Sequence, residues 1–383
     1  VVSLPPFDSQ DWASVRAQFA YDPSIANLAT FVFASPPAIV RAAIARHQAE
    51  FDWNPIHYLH ANEFRFNDGV KQAAAGYLGG TTNEVYLTDS TTMGLGLVYN
   101  GLKLSRGDEI LTSEHDFYAT YEALRLRSLR DGVNVRRVRL YADSATASVD
   151  EIVSNLTAAI SPATKIIALT WVHSSTGVKL PVREIVKAVA GRALVCLDSV
   201  HGFGSEDTSA ADLGVDFLIS GTHKWLFGPR GTGLVWGKTT AWQQFQPAIP
   251  TFDFNAQTSA ASPGGYKSFE YQWSLAETFS FHHQVGRERI SARIKELASR
   301  LKTGLAGIKG VKLHTPTSKD LSSGIVCCTI EGMTPQTAVE KLWNKGVQAS
   351  VTPYNPPLLR FGTSIVNAEA DIDRALIEVR SLA

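Results

Sequence analysis

The most constraining feature of this sequence is a rhythm. Between about residues 80 and 240, short β-branched and apolar runs alternate with stretches of helical spacing. Val85-Tyr86-Leu87 predicts a strand and Met93 to Leu104 a helix. Glu109 to Thr112 predicts the next strand and Tyr118 to Asp131 the next helix. Val135 to Tyr141, Lys165 to Trp171, Ala193 to Leu197 and Asp216 to Ser220 continue the strand series. Ser148-Val149-Asp150-Glu151 has the capping-box pattern, ahead of Ile152, Leu156 and Ile160 at helical spacing. Pro181 opens another helix, where its missing N–H costs nothing. Such β-α repeats predict an α/β fold, a mostly parallel sheet with helices on both faces.

After about residue 280 the character changes. Gln284 to Leu301 reads as one long helix rich in Arg and Lys. Gly324 to Glu331 and Leu358 to Phe361 read as strands, Pro335 to Lys345 and Asp371 to Leu382 as helices. We therefore expect a large domain of residues 22–280. A small α+β domain would take residues 1–21 and 281–383.

The chain has 383 residues, 44% of them apolar, so it can bury a full core. Lys plus Arg and Asp plus Glu both number 36, so no global basic field attracts nucleic acid or membrane. No apolar run approaches a membrane span. Three cysteines, Cys196, Cys327 and Cys328, do not make a disulfide framework. All three lie in apolar runs, and Cys327 and Cys328 would face opposite sides of a strand. No CxxC or HExxH pattern supports a metal site. His282 and His283, being adjacent, face different sides of a helix.

In an open α/β sheet, ligands bind beyond the carboxyl ends of the strands. Three segments there carry chemistry. Thr88-Asp89-Ser90-Thr91-Thr92 joins a strand to a helix start, where hydroxyls and free N–H groups suit a phosphate. A plain Ser/Thr cap has the same pattern. Asp198 ends an apolar strand, with His201 three residues on. A carboxylate there needs a partner, such as a protonated heteroaromatic nitrogen, or else it caps a turn. Lys224 follows another strand in Ser220-Gly221-Thr222-His223-Lys224-Trp225, ahead of Gly228-Pro229-Arg230-Gly231-Thr232-Gly233. Desolvation of that lysine favours the free amine that Schiff-base chemistry requires. Together the three sites suit one ligand, pyridoxal 5′-phosphate (PLP).

With these residues in view, the chain resembles the class V aminotransferase family of PLP enzymes. The core of the likeness is "LDSVHGFGSEDTSAADLGVDFLISGTHKWLFGPRGTGLVWG", residues 197–237. Within the family it resembles the isopenicillin N epimerase-like branch. "ILTSEHDFYAT", "TWVHSSTGVKLPVREI" and "GTHKWLFGPRGTG" are similar to the PLP enzymes of pyoverdine maturation. The resemblance implies PLP fold type I, with a mostly parallel seven-stranded-type sheet between helices and a small α+β domain. It implies that Lys224 holds the cofactor as a Schiff base and later moves a proton. Asp198 would pair with the pyridine nitrogen, and His201 would sit near the phenolic oxygen. Thr91 and Thr92 would hold the phosphate, with His223 helping and Thr222 as a further ligand. Phe117 would stack on the ring, and Ser174 would lie beside the ring oxygen, where relatives often have Asn. Arg360, in "LRFGTSIVNAEADID", would bind the substrate carboxylate through a bidentate pair. Asn27, Phe31, Trp53, Asn54 and His57 are further candidates for substrate contact. "FEYQWSLAE" matches a segment that in relatives reaches the partner subunit's phosphate. Gln272 and Trp273 stand there in place of the usual Gly-Thr pair.

The implied activity is a PLP-dependent reaction on an amino acid or derivative in specialised metabolism, by transamination or oxidative side-chain chemistry. C–S lysis, epimerisation and a non-catalytic PLP-binding role are the alternatives. A cysteine desulfurase requires a nucleophilic cysteine on an exposed loop, which none of these three cysteines matches. Two-base epimerisation requires a second proton carrier opposite Lys224, and the sequence offers no candidate. Relatives of this fold are homodimers with interfacial active sites, so a homodimer is expected. The cytoplasm is the expected compartment, with twin-arginine export to the periplasm as the alternative.

Overall fold

The computed structural model describes residues 4–251 and 262–383. Seven strands form the main sheet: Val85–Thr88 (β1), Glu109–Ser113 (β2), Asn134–Val138 (β3), Thr164–Thr170 (β4), Leu194–Asp198 (β5), Phe217–Gly221 (β6) and Gly233–Gly237 (β7). Their order is β1-β7-β6-β5-β4-β2-β3. β7 runs antiparallel to both neighbours, and the other pairings are parallel.

Strand periodicity explains why helices cover both faces. Leu111, Ile167, Leu169, Val195, Leu197 and Leu218 point into one core. The alternate residues Ile110, Ile166, Ala168, Cys196, Phe217 and Ile219 point into another. Ala38–Trp53 (α1), Pro55–Leu78 (α2), Thr91–Gly101 (α3), Tyr118–Asp131 (α4), Val149–Ala159 (α5) and Val182–Val189 (α6) precede or connect the strands. Ile152 and Leu156 of α5 and Ile185 of α6 close the first core. Leu95 and Val98 of α3 and Leu124 of α4 close the second.

The second lobe has four antiparallel strands, Val311–Leu313 (β8), Ile325–Ile330 (β9), Ser350–Val351 (β10) and Leu359–Gly362 (β11). Their order is β10-β11-β9-β8. Leu275–Val285 (α7) packs against α1 and α2 of the main lobe, and Arg287–Ala306 (α8), Pro335–Trp343 (α9) and Glu369–Leu382 (α10) accompany the small sheet. Cys328 enters this lobe's core, and Cys327 points the other way, toward the main lobe. The N-terminal segment lies on α7 and α8. Phe7 stacks on Phe281, and Arg289 donates to the carbonyls of Ser9 and Gln10.

Three local expectations need correction. The helix expected over 284–301 is two helices, broken at Gly286, whose φ of 93° few other residues adopt. The Ser148 capping box is half formed: Ser148 Oγ accepts from Glu151 N, but the Glu151 carboxylate accepts from Ala142 N instead. The strand begun at Val135 ends by Val138, short of Tyr141. No described helix is long and apolar enough to cross a membrane.

Candidate active site

A cavity of about 270 Å³ opens at the carboxyl ends of β1, β5 and β6, beside β11. Its wall includes Ser90, Thr91, Thr92, Phe117, Ser174, Asp198, His201, His223, Lys224 and Arg360. Segments far apart in sequence meet there because parallel strands all present the same end.

Ser90 caps α3 by accepting from Met93 N at 3.1 Å. Thr91 Oγ1 accepts from Gly221 N at 2.7 Å, which ties the helix start to the end of β6. That leaves the Thr91 hydroxyl hydrogen free to donate. Hydroxyl donors at the positive end of α3 would suit an anion.

Asp198, at the end of β5, is 1% exposed. Its Oδ1 accepts from Val200 N at 3.1 Å, and its Oδ2 has no hydrogen-bond partner. Burial pushes its pKa up to about 6, against the pull of Lys224. Lys224 sits three residues past β6, half-buried, with Nζ 3.5 Å from His201 Nε2. Desolvation lowers its pKa to about 8, against the opposing pull of Asp198. Burial first, then the charge of Lys224, lowers His223 to about 4.

Arg360 comes from β11, across the cavity. Its Nη1 donates to Ser174 O at 3.1 Å, and its Nε donates to Ser350 Oγ at 3.1 Å. Phe31 lies under the guanidinium at 4.8 Å. Ser174 Oγ pairs with the Tyr354 hydroxyl at 2.9 Å. Phe117 precedes α4 and lies near Tyr354, with ring centroids 6.5 Å apart.

Other candidates lie elsewhere. The Thr222 hydroxyl is buried against Thr232 and Pro229 O, inside the turn after β6. Asn27 Oδ1 accepts from Ala29 N, and Asn54 Oδ1 accepts from His57 N as the cap of α2. Neither asparagine lines the cavity. Trp53 is 88% exposed. Gln272 and Trp273 are buried, and both donate to Asn67.

Sequence reasoning missed Tyr354, Trp225 and Asp116. Asp116, in the loop that carries Phe117, accepts from Thr112, Ser113 and Thr170. Tyr354 stands six residues before Arg360, and Trp225 directly follows Lys224. Proximity to the motif residues was the only signal for them.

The donor set fits PLP. An unpartnered buried carboxylate oxygen suits a protonated ring nitrogen, and an amine with a lowered pKa suits the aldehyde. The α3 terminus suits the phosphate. Fold and cavity together define a PLP-dependent enzyme of fold type I.

The chain belongs to the aminotransferase class-V family, whose family model matches residues 36–352. It is 24% identical to isopenicillin N epimerase from Streptomyces clavuligerus over 385 aligned residues, covering 95% of this chain and 96% of that one. It is 23% identical to a probable cysteine desulfurase from Vibrio cholerae, covering 81% of each. The solved structure of the cystine C-S lyase C-DES in complex with cysteine persulfide superposes with a TM-score of 0.86 at 20% identity, covering 94% of this chain and 98% of that chain. That likeness shows the shared fold.

Proposed function

We propose that this enzyme binds a small-molecule amino acid by its carboxylate at Arg360 and removes the Cα proton with Lys224. The observation that carries this reading is the pairing in one cavity of a lowered-pKa lysine with a buried, unpartnered carboxylate oxygen. Bound PLP supplies a conjugated ring that takes up the electron pair left when a bond at Cα breaks. Lys224 is the residue that would hold it covalently, and Asp198 Oδ2 would accept from its ring N–H. Thr91 and Thr92, at the start of α3, would donate to the phosphate, beside His223.

Arg360 keeps free N–H groups after its contacts to Ser174 and Ser350, enough to take a carboxylate. Phe31 beneath it and the Ser174 carbonyl at Nη1 fix the plane of the guanidinium that would receive that carboxylate. Lys224, once free, would take the Cα proton at Nζ and carry it away from Cα. Delivered to the sulfur of a departing β-substituent, that proton completes C–S lysis; delivered anywhere other than substrate, it allows transamination.

Two other outcomes have less support. All three cysteines are fully buried, and burial pushes the Cys327 thiol up to about 12. A protein thiol is therefore a poor acceptor of sulfur here. Of the other ionisable residues on the described wall, Asp198, His223 and Arg360 have other tasks in this reading, and His201 lies beside Lys224, its Nε2 3.5 Å from Nζ. Inversion at Cα would require a proton carrier facing Lys224 from the opposite side, a task this reading gives to none of them. The reading includes a homodimer with interfacial active sites.

The test is an absorbance scan of purified protein against a panel of amino acids, with product mass spectrometry. One amino acid should shift the lysine–cofactor band and yield a keto acid, or pyruvate plus a thiol. Lys224→Ala should bind PLP without a covalent link. A band unchanged by that substitution would sink the assignment.

A further inference from the structure

Trp225 has no role in the reading above, yet its buried indole contacts His201 of the cavity wall. Its Nε1–H, which can only donate, points at His201 Nδ1 across 3.2 Å. Nδ1 is therefore an acceptor. Burial holds the His201 ring neutral, so its single proton sits on Nε2. That nitrogen faces Lys224 Nζ at 3.5 Å.

We propose that Trp225 is a positioning residue: its indole N–H fixes His201 as the Nε2–H tautomer and so aims a donor at the Lys224 amine. The proposal rests on the reading of Lys224 as the cofactor's anchor. A donor there favours the free amine, because an ammonium has no lone pair to accept with. Other groups face the same amine. Asp198, at the end of β5, favours the ammonium, and Arg360 on β11 opposes it. His223, adjacent in sequence, is itself held neutral by burial and by Lys224.

The indole is seated by both lobes. A Cβ on Gly324, just before β9, would fall 2.4 Å from Trp225 Cη2, so only a bare glycine leaves room there. Phe31, which lies under Arg360, stacks on the same indole with centroids 6.1 Å apart. The tautomer of His201 is thus set by a side chain wedged between the catalytic sheet and the small lobe.

The test is ¹⁵N NMR of histidine-labelled protein, before and after PLP loading. His201 is assigned by the signal lost in His201→Gln. The wild type should show bare Nδ1 and protonated Nε2. Trp225→Phe keeps an aromatic ring but removes the N–H, and should mix the tautomers. The pH midpoint of covalent PLP loading, read by borohydride trapping and mass, should then rise by about half a pH unit. A wild-type His201 protonated at Nδ1 overturns the proposal whatever the variant does. So does a folded Trp225→Phe that keeps the Nε2–H pattern. A lost tautomer with an unmoved loading midpoint overturns the link to Lys224. Failure of the anchor reading shows separately, as loaded protein with no adduct on Lys224.

Discussion

At the scale of the residue, Asp198 carries a cost that a protonated ring nitrogen at its unpartnered oxygen would offset. Its pKa rises from the ordinary 3.8 to about 6 because burial disfavours the anion. Between those values the unfolded chain has lost the proton and the folded chain keeps it. Stability of the cofactor-free protein therefore falls as pH rises through that window. Above it the cost of ionised Asp198 is roughly 3 kcal/mol, by the size of the shift. We expect Asp198→Asn to stabilise the cofactor-free protein at about pH 7 and to leave it unchanged near pH 4. It should also weaken PLP binding. Urea melts at the two pH values check the first part, and a gain equal at both would refute it. Asp198 and Lys224 were legible in the sequence because one ends an apolar strand and the other stands three residues past another, a local signal. Tyr354 was not, since its hydroxyl meets Ser174 across 180 residues. The Thr222 hydroxyl misled for the opposite reason, because the turn after β6 folds back and takes it inward.

At the scale of the element, the strands were the legible part. A buried parallel strand is a short apolar run with sharp edges. The helices α1 and α2 escaped notice because few of their residues are buried. Of sixteen residues in α1, only Ala38, Val40, Ala43 and His47 are buried, too few for a clear stripe. The break between α7 and α8 was hidden because apolar spacing runs on across Gly286, and a helix interior tolerates one glycine. At φ 93° that glycine is required by the turn, so Gly286→Ala should cost about 1–3 kcal/mol. A denaturation midpoint equal to the wild type would show that the turn adapts without strain.

At the scale of the whole molecule, the two lobes are joined by a buried ionic knot. Glu206, from the loop after β5, pairs with Lys179 at 3.0 Å and with Lys295 of α8 at 2.8 Å. It also accepts from Ser323 Oγ, just before β9, at 2.6 Å. Removing the carboxylate leaves two cations, mostly buried, facing each other. Glu206→Ala should therefore destabilise by about 3 kcal/mol, more than an exposed pair would. A loss under about 1 kcal/mol would mean that solvent already screens the knot. The sequence could place each charge but not their meeting, which depends on how one lobe sits on the other. The cysteines follow the same partition: Cys196 is sealed in the main sheet, and Cys327 and Cys328 in the small one. A thiol reagent can reach Cys196 or Cys328 only when its sheet parts from the covering helices, and Cys327 only when the small sheet parts from the main lobe. The protein thus carries its own clock for breathing, and the order in which the three sulfurs are labelled reports whether a lobe opens or the two lobes separate first.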